Sequence, residues 1–305
     1  MSFPVPGISK ETTHCPDWSS RLHPVDQFPY ALGEHSDLFR ARGTHETKPR
    51  PKLFAIKCLR AGSSSNPNFN SELQKKLVLQ GDALAKLTHE NICTIRGIVY
   101  NTSRFPGIVM DFYEGGSIVN RMKEHSYTND EKLSWVKQIA SGMRYLHRMR
   151  PPVVHGDLRG SNIFLNAGGK IVIADVGMVY ITDTPEFTMM QSAATARWTA
   201  PELMDPKVPR QSTSIEGPDC TTQSDVFAFA MTIVQIFSEA LPFRHVNNDT
   251  TCIFLILRGQ RPELPQYVQG QRSLSSLVGE CWVREPSKRP SMTDICWRLG
   301  MSASS

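Results

Sequence analysis

The sequence predicts an α+β chain with a small β-rich N-terminal lobe and a larger helical C-terminal lobe. Three observations predict it. Between residues 25 and 112 the apolar and β-branched runs are short and bounded by turn residues. Past Gly115-Gly116 the apolar residues recur at three- and four-residue steps. The run from Asp225 to Glu239 is apolar nearly all round, which places a helix at a domain centre rather than on its surface.

Residues 1–24 mix Pro, Ser, Thr and His without periodicity and read as a poorly ordered leader. Lys52 to Leu59 reads as one strand and Gly107 to Phe112 as another. Between them Ala61 to Asn68 is a loop by composition, followed by a helical pattern from Ser71 to Leu87. A mostly antiparallel sheet with one packed helix is the economical arrangement of this half. Leu133, Val136, Ile139, Ala140, Met143 and Leu146 share one helical face in the other half. The lobes, 25–112 and 113–300, join near Asp111 to Glu114, and 301–305 form a disordered tail. No internal repeat is present.

Composition narrows the function. With 305 residues, 40% hydrophobic and 21% charged, the chain suits a globule with a substantial core. A net charge of +5 with scattered Lys and Arg, and no groove-reading motif, gives no reason to expect nucleic acid as a partner. Seven widely spread cysteines form no C-x-x-C pair, which favours neither zinc nor a disulfide framework and suits a reducing compartment. No signal peptide is read, and Val226 to Phe237 is too short to cross a bilayer. The expectation is a cytoplasmic chain with no membrane partner.

The chemistry concentrates in His155-Gly156-Asp157-Leu158-Arg159-Gly160-Ser161-Asn162, followed by Asp175 within Ile173-Ala174-Asp175-Val176-Gly177. Two aspartates and an asparagine then stand at the ends of short apolar strands. Such a set can hold a divalent cation, triphosphate oxygens and an incoming hydroxyl close together.

These segments resemble the catalytic loop and metal-binding motif of the eukaryotic protein kinases, and the resemblance runs almost from end to end. It implies a bilobal protein-kinase-like fold that uses ATP and Mg²⁺ on a protein substrate. Asp157 is then the residue that orients the substrate hydroxyl and accepts its proton, and Asn162 and Asp175 are the metal ligands. Lys57, in Phe54-Ala55-Ile56-Lys57, matches the V-A-I-K lysine that holds the α- and β-phosphates. Arg159 stands where a lysine often contacts the transferring phosphate. The implied nucleotide site takes in Ala31, Gly33, Ser36 and Leu38 of the glycine-rich segment, with Ala55 and Lys57. It continues through Met110 at the back of the adenine pocket, the hinge Asp111, Phe112 and Tyr113, then Asn120 near the ribose, and Phe164. Lys57 and the three oxygen-bearing side chains are expected to converge between the lobes. Ala200-Pro201-Glu202 matches Ala-Pro-Glu, with Arg289 as the ion-pair partner of Glu202, and Asp225 is expected to accept backbone N–H bonds near the catalytic loop.

The departures are as specific as the matches. Gln80 occupies the position of the glutamate that pairs with the lysine, and Glu72 and Asp82 are not obvious replacements. Only Gly33 survives of the three loop glycines in Ala31-Leu32-Gly33-Glu34-His35-Ser36-Asp37-Leu38. Arg42 to Lys52 is expected to be a long loop. His155-Gly156-Asp157 lacks the usual arginine, so phosphorylation of Thr182, Thr184, Thr188 or Thr195 has little means of organising the site. Val176 replaces the usual Phe. Thr195 and Trp198 to Glu202 point to the tyrosine-kinase-like group, with Ser/Thr favoured over Tyr. Three readings remain: an active kinase, a pseudokinase acting as scaffold or allosteric partner of a regulatory protein, and a small-molecule kinase of related fold. The Ala-Pro-Glu segment and Arg289 disfavour the third.

Overall fold

A computed structural model describes residues 15–33, 36–45, 48–60, 68–103, 105–182, 193–207 and 220–302. The chain divides into two compact units, one built from the chain up to Thr88 with Cys93–Phe112 and Tyr180–Ser192, the other from His89–Ile92, Tyr113–Val179 and the chain from Ala193 onward. The first is β-rich and the second helical, as the periodicities require.

The first unit is a six-stranded antiparallel sheet of β1 (Leu22–Pro24), β2 (Ala31–Leu32), β3 (Ser36–His45), β4 (Lys48–Leu59), β5 (Ile95–Val99) and β6 (Gly107–Asp111). The strand order is β1-β3-β4-β6-β5, and β2 pairs with β3 off that path. Alternation along β4 sends Phe54, Ile56 and Cys58 to one face, where they pack with Ala41, Val99 and Val109. Helix α1 (Phe69–Ala85) adds Leu73, Leu77 and Leu84, each no more than 2% exposed. Burying each such side chain is worth about 1.5–3 kcal/mol.

Two expectations are corrected here. Residues 15–24 belong to the lobe, not to a leader: Trp18 is buried against Phe54, with ring centroids 4.9 Å apart, and Leu22 pairs with Gly43. A single buried aromatic ahead of a three-residue strand leaves no periodicity to read. Gly97 makes the seat, because a Cβ there would lie 2.3 Å from the Trp18 ring. Residues 1–14, and residues 61–67 of the loop expected at 61–68, lie outside the described residues, while Asn68 is the N-cap of α1. The second correction concerns Arg42 to Lys52, which extends the β3–β4 hairpin instead of looping, with Gly43 opposite Lys52 and His45 opposite Lys48. Pro49 and Pro51 hide this strand. They are tolerated because β6 pairs β4 only from Phe54 to Cys58, leaving the earlier residues an open edge.

In the second unit, α2 (Ile118–Glu124) and α3 (Asn129–Arg148) precede the β-ribbon β7 (Ile163–Leu165) and β8 (Ile171–Ile173). Then come α4 (Val179–Thr182), α5 (Pro201–Met204), α6 (Thr222–Ser238), α7 (Asp249–Leu257), α8 (Gln266–Gly270), α9 (Arg272–Cys281) and α10 (Met292–Arg298). The α3 stripe behaves as its spacing requires: Val136, Ile139, Ala140, Met143 and Leu146 are fully buried, while Leu133 is half-buried. Capping boxes start α3 at Thr128/Glu131 and α6 at Thr221/Ser224, each satisfying orphan N–H groups for about 1 kcal/mol. Helix α6 is buried continuously from Ser224 to Phe237, the domain-centre helix that its apolarity called for.

Candidate active site

Helix α6 is also a platform. Asp225, 1% exposed, accepts the backbone N–H of His155 (2.8 Å, Oδ2) and of Gly156 (2.9 Å, Oδ1), with His147 Nε2 2.9 Å from Oδ2. Seven residues on, Thr232 donates to the Leu158 carbonyl (3.2 Å), and Gln235 Oε1 accepts from Gly160 N–H (3.0 Å). Spacings of seven and three put these polar side chains on one stripe. The expected role of Asp225 is thus present. Thr232, Gln235 and His147 were not anticipated: a few polar residues inside an apolar helix look like dilution until the stripe is drawn.

The loop they hold carries the predicted chemistry. Arg159 Nε lies 3.0 Å from Asp157 Oδ1 and donates to Oδ2 at 3.1 Å. The Asn162 amide nitrogen donates to the Asp157 carbonyl and to its Oδ2, both at 2.8 Å. With its nitrogen committed, the Asn162 amide turns its oxygen the other way. Buried His155 bridges the loop to the ribbon, Nε2 lying 2.9 Å from the Ala174 carbonyl and Nδ1 accepting from Asp157 N–H at 3.1 Å. Register brings Asp175 alongside: Ile163 pairs with Ile173, and Ala174 N–H donates to the Asn162 carbonyl at 2.9 Å. Burial raises the Asp157 carboxyl above the ordinary carboxylate range; Arg159, His155 and the Asn162 hydrogen bond pull it down, and Asp175 adds to the rise.

An Asn and an Asp oxygen fit Mg²⁺, which takes few protein ligands and completes its octahedron with phosphate and water oxygens. Among the described residues no group of three His, Cys, Asp or Glu forms a denser metal site.

Asp175 has φ +61° and Gly177 has φ +66°, so the chain turns sharply after β8. Gly177 N–H returns to the His155 carbonyl at 3.3 Å. Gly156 has φ +82°, and a Cβ there would meet Val179 Cγ1 at 2.6 Å. Val179 at the start of α4 therefore packs on the 155–162 loop in the room that a side chain at 156 would need.

Farther along, Arg289 forks onto Glu202 at 2.6 and 2.7 Å, as expected. Buried Arg197 donates to Asp249 (2.6 Å) and to the carbonyls of Pro242, Phe243 and Val246, fixing the stretch before Ala200. The Thr195 carbonyl accepts from Trp198 N–H at 3.0 Å. Thr184 and Thr188 lie outside the described residues. Asn120 is exposed on α2, its N–H capped by Ser117 Oγ at 3.4 Å, and Ser117 bridges to Phe164. Tyr113 and Phe164 rings sit 5.6 Å apart.

In the first unit, Lys57 is half-buried on β4 between Leu38 and Ile108, and Ala55 lies between Arg40 and Met110. Ala31 faces Leu38 across β2 and β3. Gly33 N–H donates to the Ser36 carbonyl at 2.7 Å, so only two residues (34 and 35) separate the paired ends of this hairpin. Those two lie outside the described residues. Arg60 staples the same end, donating to the Gly33 carbonyl and lying 3.3 Å from Asp37. Gln80 is 5% exposed on α1, and its Oε1 finds no partner among the described residues. Asp82 does turn elsewhere, accepting Cys15 N–H.

Residues 31–299 match the family model for protein tyrosine and serine/threonine kinases. The chain belongs to that family. Mitogen-activated protein kinase kinase kinase 7 of Drosophila melanogaster is 31% identical over 252 residues, covering 81% of this kinase chain and 33% of that protein. Probable serine/threonine-protein kinase drkC of Dictyostelium discoideum is 28% identical over 251 residues, 81% of this chain and 31% of its own. Serine/threonine-protein kinase STY17 of Arabidopsis thaliana is 25% identical over 269 residues, 87% of this chain and 42% of its own. The kinase chain thus spans about a third of the first of these relatives. No helix among its described residues is long and apolar enough to cross a membrane.

Proposed function

We propose that this kinase transfers the γ-phosphoryl of Mg·ATP to a protein hydroxyl, Ser or Thr in preference to Tyr. The supporting observation is the Asp157 carboxylate, held by Arg159 and Asn162 on a loop whose backbone is clamped by α6. Phosphoryl transfer asks a protein for positioning and charge neutralisation rather than covalent chemistry. Asp157 aims the hydroxyl and takes its proton. Asn162 and Asp175 would hold Mg²⁺, which neutralises phosphate charge when bound. Lys57 takes the α- and β-phosphates, and Arg159 swings from Asp157 to the transferring phosphate. Ala31, Gly33, Ser36, Leu38, Ala55, Met110, Asp111, Phe112, Tyr113, Asn120 and Phe164 would line the nucleotide. Thr195 and the names of the relatives favour Ser/Thr. Cytoplasmic residence, with no nucleic-acid or membrane partner, belongs to the same proposal.

A pseudokinase reading is favoured by Gln80, which cannot neutralise Lys57, and by the short hairpin at Gly33–Ser36. In that reading the chain acts on a regulatory partner with weak or no turnover. Incubation with Mg·[γ-³²P]ATP and a generic protein substrate decides between them. Labelled phosphoserine or phosphothreonine is expected; transfer no faster than in a heat-inactivated sample selects the pseudokinase.

Activity is also expected to survive phosphatase treatment within about twofold, because no arginine precedes Asp157 to receive a phosphate and Val179 already packs on Gly156. A fall of tenfold in the same transfer assay would contradict this.

A further inference from the structure

The connection between α6 and α7, residues 239–248, is fixed more firmly than a surface loop requires. Lys132, buried on α3, holds Glu239 at its start, Nζ to Oε1 at 2.5 Å. Asn248 caps α7 at its end, its side-chain oxygen accepting Thr250 N–H at 2.8 Å. Between these points Pro242 and Phe243 are buried, and the buried Arg197 guanidinium donates to the carbonyls of Pro242, Phe243 and Val246. Phe243 has φ +58°, a left-handed conformation that costs free energy in a bulky aromatic residue and persists only where its surroundings enforce it.

The tip held in this way is basic. Arg244 and His245 are exposed, and the next cations along the chain are Arg258 and Arg261. The acids of the same stretch are Asp249, which Arg197 takes at 2.6 Å, and Glu263. Glu263 Oε2 lies 3.4 Å from His245 Nε2 and 4.0 Å from Arg244 Nη2. It marks where a carboxylate sits between the two bases, and it is itself exposed and loosely held. An exposed pair of this length adds little stability, so it does not account for the rigid setting of 242–246.

Arg197 also gives the tip its place. Thr195, on which the Ser/Thr preference rests, precedes it by two residues. Two residues of chain and one arginine side chain put the Phe243 carbonyl within about 15 Å of Thr195, a span of about five extended residues. A substrate segment running from the acceptor hydroxyl toward the tip therefore reaches Arg244 and His245. We propose that these two residues select an acidic side chain within about five residues of the phosphorylated Ser or Thr, and that Glu263 occupies their site in its absence. The substrate class of this kinase is then an acidic peptide segment. The inference rests on the transfer reaction proposed above.

The test is a positional peptide series: one Ser acceptor in an otherwise neutral peptide, with Glu or Lys placed in turn at each of about five positions on either side. The readout is the ratio of kcat/KM for the Glu peptide to that for the Lys peptide, which partial unfolding of the enzyme leaves unchanged. Wild type is expected to favour Glu by about fivefold at one position or two neighbouring ones, the size of one exposed ion pair. Arg244→Glu should bring that ratio below one, and His245→Gln should lower it by about twofold. Glu263→Gln, which frees the two bases, should raise it by about twofold. Arg272→Glu makes the same charge change at the exposed first residue of α9 and should leave the ratio unchanged. A wild-type ratio near one at every position, a Glu preference that survives Arg244→Glu, or an equal fall in Arg272→Glu overturns this inference and leaves the transfer reaction standing. Transfer to a generic protein but to none of these peptides overturns it as well, because the determinant lies within reach of a short peptide. A wild type that labels neither peptide nor protein overturns the transfer reading and this inference together.

Discussion

Asp157→Asn is expected to lower kcat for phosphoryl transfer by about 10³-fold while KM for ATP stays within threefold. The substitution keeps the shape and removes the carboxylate charge together with the proton acceptor. An Asn side-chain oxygen in the Oδ2 position still accepts from Arg159 and from Asn162, which reach that atom at 3.1 Å and 2.8 Å. The loop backbone does not depend on this side chain, since Asp225, Thr232 and Gln235 hold it from α6. A structural account of the loss is therefore closed off in advance. Steady-state kinetics with varied ATP checks the split: a rise in KM with unchanged kcat would assign Asp157 to binding instead.

Arg289→Ala is expected to cost about 3–5 kcal/mol of stability and to lower Tm by about 10 °C. The Arg289 side chain is 0% exposed and Glu202 16%. Besides the fork onto Glu202, the guanidinium donates to the carbonyls of Gln223 (2.9 Å), Val283 (3.0 Å) and Arg284 (3.3 Å). Removing it leaves a half-dry carboxylate and three carbonyls without their donor. One term runs the other way: burial and the neighbouring Arg289 and Arg284 push Arg261 down to about 10, and losing Arg289 relieves part of that. A single relieved repulsion is smaller than an orphaned carboxylate, so destabilisation wins. Scanning calorimetry checks the shift. The Glu202→Leu/Arg289→Met pair should lose less than Arg289→Ala alone, because no charge is left unpaired.

What the sequence made legible follows from the physics of each signal. The α3 stripe and the apolar α6 were readable because period and burial are one fact seen twice. Arg289 and Glu202 were readable only through the family resemblance, since nothing in their spacing pairs residues eighty-seven apart. Trp18 was missed because one aromatic carries no period, and the start of β4 because Pro49 and Pro51 mimic a loop. Thr232 and Gln235 were missed because polarity inside a buried helix has meaning only relative to the loop it faces.

The claim on which the mechanism depends is that Lys57 and Asp175 serve one Mg·ATP. Thermal denaturation of wild type, Lys57→Met and Asp175→Asn, each with ATP alone and with ATP plus Mg²⁺, tests it most directly. Binding at a hundred times Kd stabilises a protein by about 2.7 kcal/mol, a shift of several degrees. The account predicts a Mg²⁺-dependent shift in wild type that is lost in Asp175→Asn and strongly reduced in Lys57→Met. Equal stabilisation of all three proteins, or none in wild type, would contradict it.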